Sequence, residues 1–112
     1  MLLTEILDPA CVVVPMKAAD KRAAIEELVA VLAERGKTSD PARLLAAVME
    51  REATRSTGIG NGLAIPHGKS GSVGELAMAI GKPAKPIDFD SVDGQPVSLI
   101  VLLASPLDQT GP

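Results

Sequence analysis

The sequence predicts a single layered α/β domain, and three features carry that prediction. Two stretches have helical periodicity, several short apolar runs are separated by turn residues, and 112 residues with 46% hydrophobic content suit one core. A domain of this size buries roughly two-thirds of its unfolded surface at best. The core must be aliphatic, because Phe89 is the single aromatic residue and Trp and Tyr are absent.

The elements follow in order. After a turn at Asp8-Pro9, the run Cys11 to Val14 reads as a short strand ended by Pro15. From Asp20 to Arg35 the period changes: Ile25, Leu28, Val29 and Leu32 share one helix face, with Glu26, Glu27 and Glu34 off it. Gly36 is the stop signal. Asp40 and Pro41 then provide a cap and a first helical position, and Leu44, Leu45 and Val48 form the next buried stripe. That helix is expected to fade between Arg51 and Thr57.

Gly58 to Gly74 reads as loop and turn, interrupted by a short strand candidate, Leu63-Ala64-Ile65, leading into Pro66-His67-Gly68. Leu76 to Ile80 is another strand candidate, Pro83 and Pro86 bound a connector, and Asp93-Gly94 is a hairpin-type turn. Val97 to Ala104 is almost continuously apolar, as expected of a strand covered on both faces. The chain closes on a loop from Pro106 to Pro112. So apolar a strand calls for helices on both sides, and two are visible, so the single domain 1–112 is expected to be incomplete at its C-terminus. There is no internal repeat.

Charge and composition exclude several functions. The net charge of −3, with acids and bases mixed, gives no basic footprint for nucleic acid. Without aromatic faces there is no platform for stacking bases or sugars. No stretch approaches the roughly 20 apolar residues of a membrane span, and Met1 to Glu5 lacks a basic signal-peptide start, so no membrane insertion and a cytoplasmic location are expected. Cys11, among Ala10 and Val12 to Val14, reads as a buried structural thiol, and Met16, Met49 and Met78 as core fillers. No cofactor is implied. Metal is poorly supported by one histidine and one cysteine without clustered acids.

The chemistry is concentrated in Arg51 to Lys69, which holds the one histidine, His67, among glycines, hydroxyls and basic residues. Glycines allow close backbone approach and exposed N–H groups that cradle anions. Pro66 restricts how His67 projects. Gly58-x-Gly60-x-Gly62 follows a helix rather than a strand, so it is not a dinucleotide fingerprint, and no Gly-Lys-Ser/Thr opens a helix as a P-loop requires. On these residues alone, a histidine sits on a tight, partner-accessible turn. Imidazole near neutral pH offers a lone pair without a separate base, and such a nucleophile suits phosphoryl transfer if positive charge and donors surround it. Arg51 offers a two-pronged donor, and Thr54, Ser56 and Thr57 offer hydroxyls. Arg55 and Lys69 are either a rim for a docking partner or solvated charges.

Thr57-Gly58-Ile59-Gly60-Asn61-Gly62-Leu63-Ala64-Ile65-Pro66-His67-Gly68-Lys69 resembles the phosphorylation-site signature of the fructose/mannitol/nitrogen-type IIA proteins of the bacterial phosphotransferase system. Arg51-Glu52 falls where that family carries an active-site arginine. The stretches Ile87-Asp88-Phe89, Asp93 to Val97 and Asp108-Gln109-Thr110 follow its pattern too. The form of the glycine-rich turn and the Pro-Leu-Asp-Gln-Thr ending look most like the nitrogen-regulatory branch.

The resemblance implies a mixed β-sheet flanked by helices. It implies His67 as phosphoryl acceptor at Nε2, Arg51 as phosphate stabiliser, and Thr57, Gly58, Gly60, Asn61, Gly62, Pro66 and Gly68 as the binding segment around them. The implied donor is the phosphohistidine of HPr or its nitrogen-branch counterpart, the onward acceptor in transport members is a IIB domain, and the partner in a regulatory role is a kinase or transporter whose binding the phosphate switches. Relatives also carry a second histidine and helices beyond the segment matching Gln109-Thr110, and this sequence has neither. An apolar sheet face left uncovered would favour self-association. Three roles are therefore open: a phosphocarrier, a binding module switched by phosphorylation, and a domain with a packing role alone.

Overall fold

The structure is a computed structural model that describes residues 7–54 and 56–107. Its elements are β1 (Leu7–Met16), α1 (Lys21–Glu34), α2 (Pro41–Thr54), β2 (Gly58–Gly60), β3 (Leu63–Ala64), β4 (His67–Lys69), β5 (Ala77–Pro83) and β6 (Leu99–Ser105). The expected readings of Arg55 and of the segment Asp108 to Pro112 lie outside the described residues.

Both helices begin and end where their local chemistry directs. The Asp20 carboxylate accepts from Ala23 N–H at 2.8 Å and caps α1. Beyond its other end Gly36 takes φ +72°, Gly36 N–H donates to the Ala33 carbonyl, and Lys37 N–H donates to the Leu32 carbonyl. That pair of bonds satisfies two terminal carbonyls and needs the left-handed residue between them. Asp40 caps α2 by accepting from Arg43 N–H at 3.1 Å. The predicted stripes are buried: Ile25, Leu28, Val29 and Leu32 on α1, Leu44 and Val48 on α2, with Leu45 half-buried against the core.

The sheet has six described strands in the order β1-β5-β6-β3-β2, with β4 also paired to β6. Parallel pairs (β1·β5, β3·β6, β4·β6) and antiparallel pairs (β5·β6, β2·β3) make it a mixed sheet. β3 and β4 are two pieces of one interrupted strand. Leu63 and Ala64 pair with Leu99 and Ile100, and His67, Gly68 and Lys69 resume the same register against Leu103, Ala104 and Ser105. The interruption is Ile65-Pro66, where proline has no N–H for a ladder; its carbonyl still accepts from Leu103 N–H at 2.9 Å.

One face of the sheet packs on the helices. A Cβ on Gly68 would meet Val48 of α2, and one on Gly81 would meet Leu28 of α1 and Met16. Register places Ala104 beside Gly68 and Ala77, Leu102 beside Ala79, and Ile100 beside Gly81, so these residues share that face, and the alanines, Ile100 and Leu102 are buried there.

Four expectations need correction. Neither the turn at Asp8-Pro9 nor the stop at Pro15 bounds β1, which runs from Leu7 to Met16; both prolines fall at register shifts against β5 in an edge strand of the described sheet, the setting in which a strand tolerates proline. The Gly58 to Gly74 segment is not all loop, since it holds β2 and β4. Asp93-Gly94 does form a turn, with Gly94 N–H on the Ser91 carbonyl, but its flanks meet only in an isolated bridge, Ile87 with Val97. Finally, β6 is not covered on both faces by the described residues: Leu99 is 40% exposed, and Val101 and Leu103 are half-buried. Both described helices lie on the other side.

Cys11 is buried, and burial raises its thiol pKa above the ordinary value, which suits a structural role. Met16 and Met78 are buried and Met49 packs against the core. No helix among the described residues is long and apolar enough to cross a membrane.

Candidate functional site

His67 faces away from the helices because side chains alternate along a strand. Gly68 points at Val48, with Cβ space limited to 2.9 Å from Val48 Cγ2 and 3.0 Å from Val48 N. Its neighbours His67 and Lys69 therefore project from the opposite face. The turn expected at His67 is instead the start of β4, and the ladder to β6 fixes its backbone. Pro66, fully buried, anchors the approach.

The ring is oriented by one short-range bond. His67 Nδ1 lies 3.2 Å from the Ile65 carbonyl oxygen. A carbonyl only accepts, so Nδ1 carries the proton, and in the neutral ring the lone pair resides on Nε2. The half-buried imidazole borders a cleft of about 640 Å³. Arg51, Ser56, Thr57 and Gly58 form a polar wall of that cleft, and Ile59, Ile65, Leu76, Val92 and Leu103 supply apolar surface. Arg51 is exposed in the last turn of α2 and makes no ion pair among the described residues. It is the one permanent cation among the described lining residues.

The hydroxyls are disposed otherwise than expected. Thr57 donates its hydroxyl to Glu52 Oε1, and its N–H to Glu52 Oε2 at 3.0 Å. Ser56 donates to the Phe89 carbonyl, and Thr54 to the Glu50 carbonyl at 3.3 Å. All three hydrogens are thus committed within the protein. Thr57 contributes to the cleft as buried wall. Glu52, which the sequence offered only as the companion of Arg51, is the residue that composition-based reading missed; its side chain is 2% exposed.

The glycine-rich stretch divides in two. Gly58 borders the His67 cleft, whereas Gly60, Asn61 and Gly62 line a separate groove of about 510 Å³ with Lys82, Ser98 and Leu99. Asn61 (φ 57°) and Gly62 (φ 78°) are the two-residue loop between β2 and β3. Asn-Gly is a strong hairpin signal, and it could have been read from the sequence. The 91–95 loop braces this hairpin: Val92 N–H donates to the Gly58 carbonyl, and the Asp93 carboxylate accepts from Asn61 and Gln95 N–H, both at 3.0 Å. The Gln95 and Asn61 N–H groups hold the Asp93 pKa below its ordinary value. Lys69 is exposed and does not line the cleft. Among the described residues no three His, Cys, Asp or Glu side chains gather as a metal site.

Comparison with known proteins places the chain in a family. Residues 5–111 match the family described as phosphoenolpyruvate-dependent sugar phosphotransferase system, EIIA 2. The chain is 38% identical over 105 residues to the fructose-specific EIIABC component of Bacillus subtilis, covering 94% of this chain and 16% of that protein. It is 35% identical over 106 residues to the nitrogen regulatory protein of Bradyrhizobium diazoefficiens, covering 95% of this chain and 69% of the relative. The crystal structure of nitrogen regulatory protein IIA-Ntr from Neisseria meningitidis superposes with a TM-score of 0.89 at 37% identity, over 99% of this chain and 75% of that one. The likeness to the nitrogen-regulatory branch that the motif suggested is thus found in sequence and in fold.

Proposed function

Because the chain belongs to the phosphoenolpyruvate-dependent sugar phosphotransferase system EIIA 2 family, whose domains are phosphotransfer components, we propose that it is a phosphocarrier with His67 as acceptor. The observation that carries this reading is the His67 ring itself, with Nδ1 tied to the Ile65 carbonyl and Nε2 left as nucleophile beside a cleft that Arg51 lines. The Nε2 lone pair attacks the phosphorus of a phosphohistidine on an HPr-type donor. A P–N bond forms to His67 as the donor's P–N bond breaks, its electron pair returning to the donor ring. The Nδ1–H bond to Ile65 persists through the step and steadies the more positive ring of the product. Arg51 compensates the charge of the phosphoryl oxygens. Gly58 and Thr57 shape the wall, and Pro66 and Gly68 set the height and direction of His67.

The onward acceptor is a IIB domain in the transport reading, which the EIIABC name of the Bacillus relative favours. The regulatory reading is favoured by the likeness to nitrogen regulatory proteins. There the modification is the signal, since a phosphoryl group adds about 1.5 to 2 negative charges to the rim of a cleft. Both readings need the same first step.

Incubation with phosphoenolpyruvate, enzyme I and an HPr-type carrier, followed by intact mass measurement, tests that step. One added phosphoryl group is expected, acid-labile and stable in alkali, and it disappears in His67→Ala. An unmodified wild-type protein alongside a labelled full-length relative would overturn the reading.

A further inference from the structure

Glu52 is a buried charge that the phosphocarrier reading leaves unused. Its carboxylate takes two hydrogens from one residue, the Thr57 N–H and the Thr57 hydroxyl, and meets Lys21 Nζ at 3.8 Å. Lys21 in turn lies 5.5 Å from the centroid of the Phe89 ring, and the Phe89 carbonyl takes the Ser56 hydroxyl. The chain leaving α2 is thereby closed into a ring through one carboxylate, and the polar wall of the His67 cleft begins and ends on it: Arg51 precedes Glu52, and Ser56, Thr57 and Gly58 follow.

Packing alone does not call for a carboxylate here. An apolar side chain would fill the volume without desolvating a charge, and buried ion pairs replaced in that way often leave proteins no less stable. What the carboxylate adds is direction, since two acceptors fix both the main chain and the side chain of Thr57 relative to the helix that bears Arg51. We propose that Glu52 is a positioning residue that acts through Thr57, holding Arg51, Ser56, Thr57 and Gly58 in the geometry that meets a phosphoryl group arriving at His67. The inference rests on the phosphocarrier reading for its functional half and on the Glu52–Thr57 clamp for its structural half.

Glu52→Gln and Thr57→Val each remove part of the clamp, and Thr57→Ser keeps it. Phosphoryl uptake from a phosphorylated HPr-type donor is followed at saturating and subsaturating donor, and amide exchange is followed in the unmodified proteins. Glu52→Gln and Thr57→Val are expected to slow the limiting rate about tenfold or more, because a small misplacement of a transition-state contact is costly. The half-saturating donor concentration should stay within about twofold, as for a contact made only in the transition state. Thr57→Ser should restore the rate. Exchange at the Thr57 and Gly58 amides should quicken in Glu52→Gln while that of Leu102 in β6 holds.

An unchanged limiting rate, a Thr57→Ser variant as slow as Thr57→Val, or equal quickening at Leu102 would each overturn the proposal. If the wild type takes up no phosphoryl group, the phosphocarrier reading falls instead, and the exchange pattern alone decides whether Glu52 fixes this wall.

Discussion

Along β6, Ile100, Leu102 and Ala104 point at the helices and are fully buried, while Leu99, Val101 and Leu103 point the other way and stay partly exposed. The same strand therefore serves two environments, and the difference lies in what holds each side. The helix face is held by interlocked aliphatic volume, with glycines at 68 and 81 where α2, α1 and Met16 come too close for a side chain. The His67 face is held by directed polar contacts: Nδ1 on the Ile65 carbonyl, Thr57 on Glu52, and the Asn61 and Gln95 amides on Asp93. Stability is concentrated on the first side, and orientation on the second.

Substitutions can pull the two sides apart. The largest effect is expected for Leu102→Ala, which should cost about 2–5 kcal/mol by chemical denaturation through cavity formation. Its neighbour Leu103→Ala, half-buried on the other face, should cost only about 1 kcal/mol. Equal losses would erase the distinction. Next, Arg51→Ala should slow phosphoryl uptake about a hundredfold, the scale for one transition-state donor, and leave the denaturation midpoint unchanged. Arg51→Lys should recover part of the rate, because it keeps the charge and loses the planar fork.

Gly68→Ala should cost about 1–3 kcal/mol by overpacking against Val48. It tests the closed face from directly beside His67, so it should move the midpoint more than the rate per folded molecule.

The smallest effect concerns acid. A carboxylate whose folded pKa is lowered stabilises the fold fully above its unfolded value, about 3.9, and loses that contribution as pH falls through the folded pKa. Asp93 is such a group, and so is Asp8, beside the Ala10 N–H and Arg35. Melting temperatures of wild type and Asp93→Asn between about pH 2 and 5 should converge towards the acid end. A gap that widens there would mean that Asp93 does not brace the hairpin through its charged form.

What could be read from the sequence was what is decided locally. Asp20, Gly36 and Asp40 set helix ends through bonds within a few residues, and the stripe Ile25, Leu28, Val29, Leu32 needs only a 3.6-residue period. His67 stands out as the one histidine, and the resemblance of the glycine-rich stretch before it to a phosphorylation-site signature is what singles it out for chemistry. Short strands such as β2 and β4 are another matter, because two or three glycine-rich residues become strands only when β3 or β6 lies alongside. The end of β1 is hidden for a similar reason, since proline is tolerated in a strand at an edge or a bulge, and both are properties of the assembled sheet. The Thr57 hydroxyl reads from the sequence as a free donor, because its acceptor Glu52 lies within α2 and Thr57 returns to it only after the helix has ended. Asn61-Gly62 is legible as a hairpin turn, although the glycine spacing around it suits an anion cradle equally well.

The interrupted strand makes the side on which His67 emerges a matter of counting. Ala64 faces the helices opposite Ile100, two residues intervene, and the chain rejoins β6 with His67 beside Leu103. Side chains change face at every step along a strand. Deleting Ile65 while β3 and β6 keep their places would set the imidazole beside Leu102, in the aliphatic interior. The spacer between two short strands thus acts as a parity bit, and odd-length changes there would hide the nucleophile while leaving Arg51, Ser56, Thr57 and Gly58 of the polar wall in place.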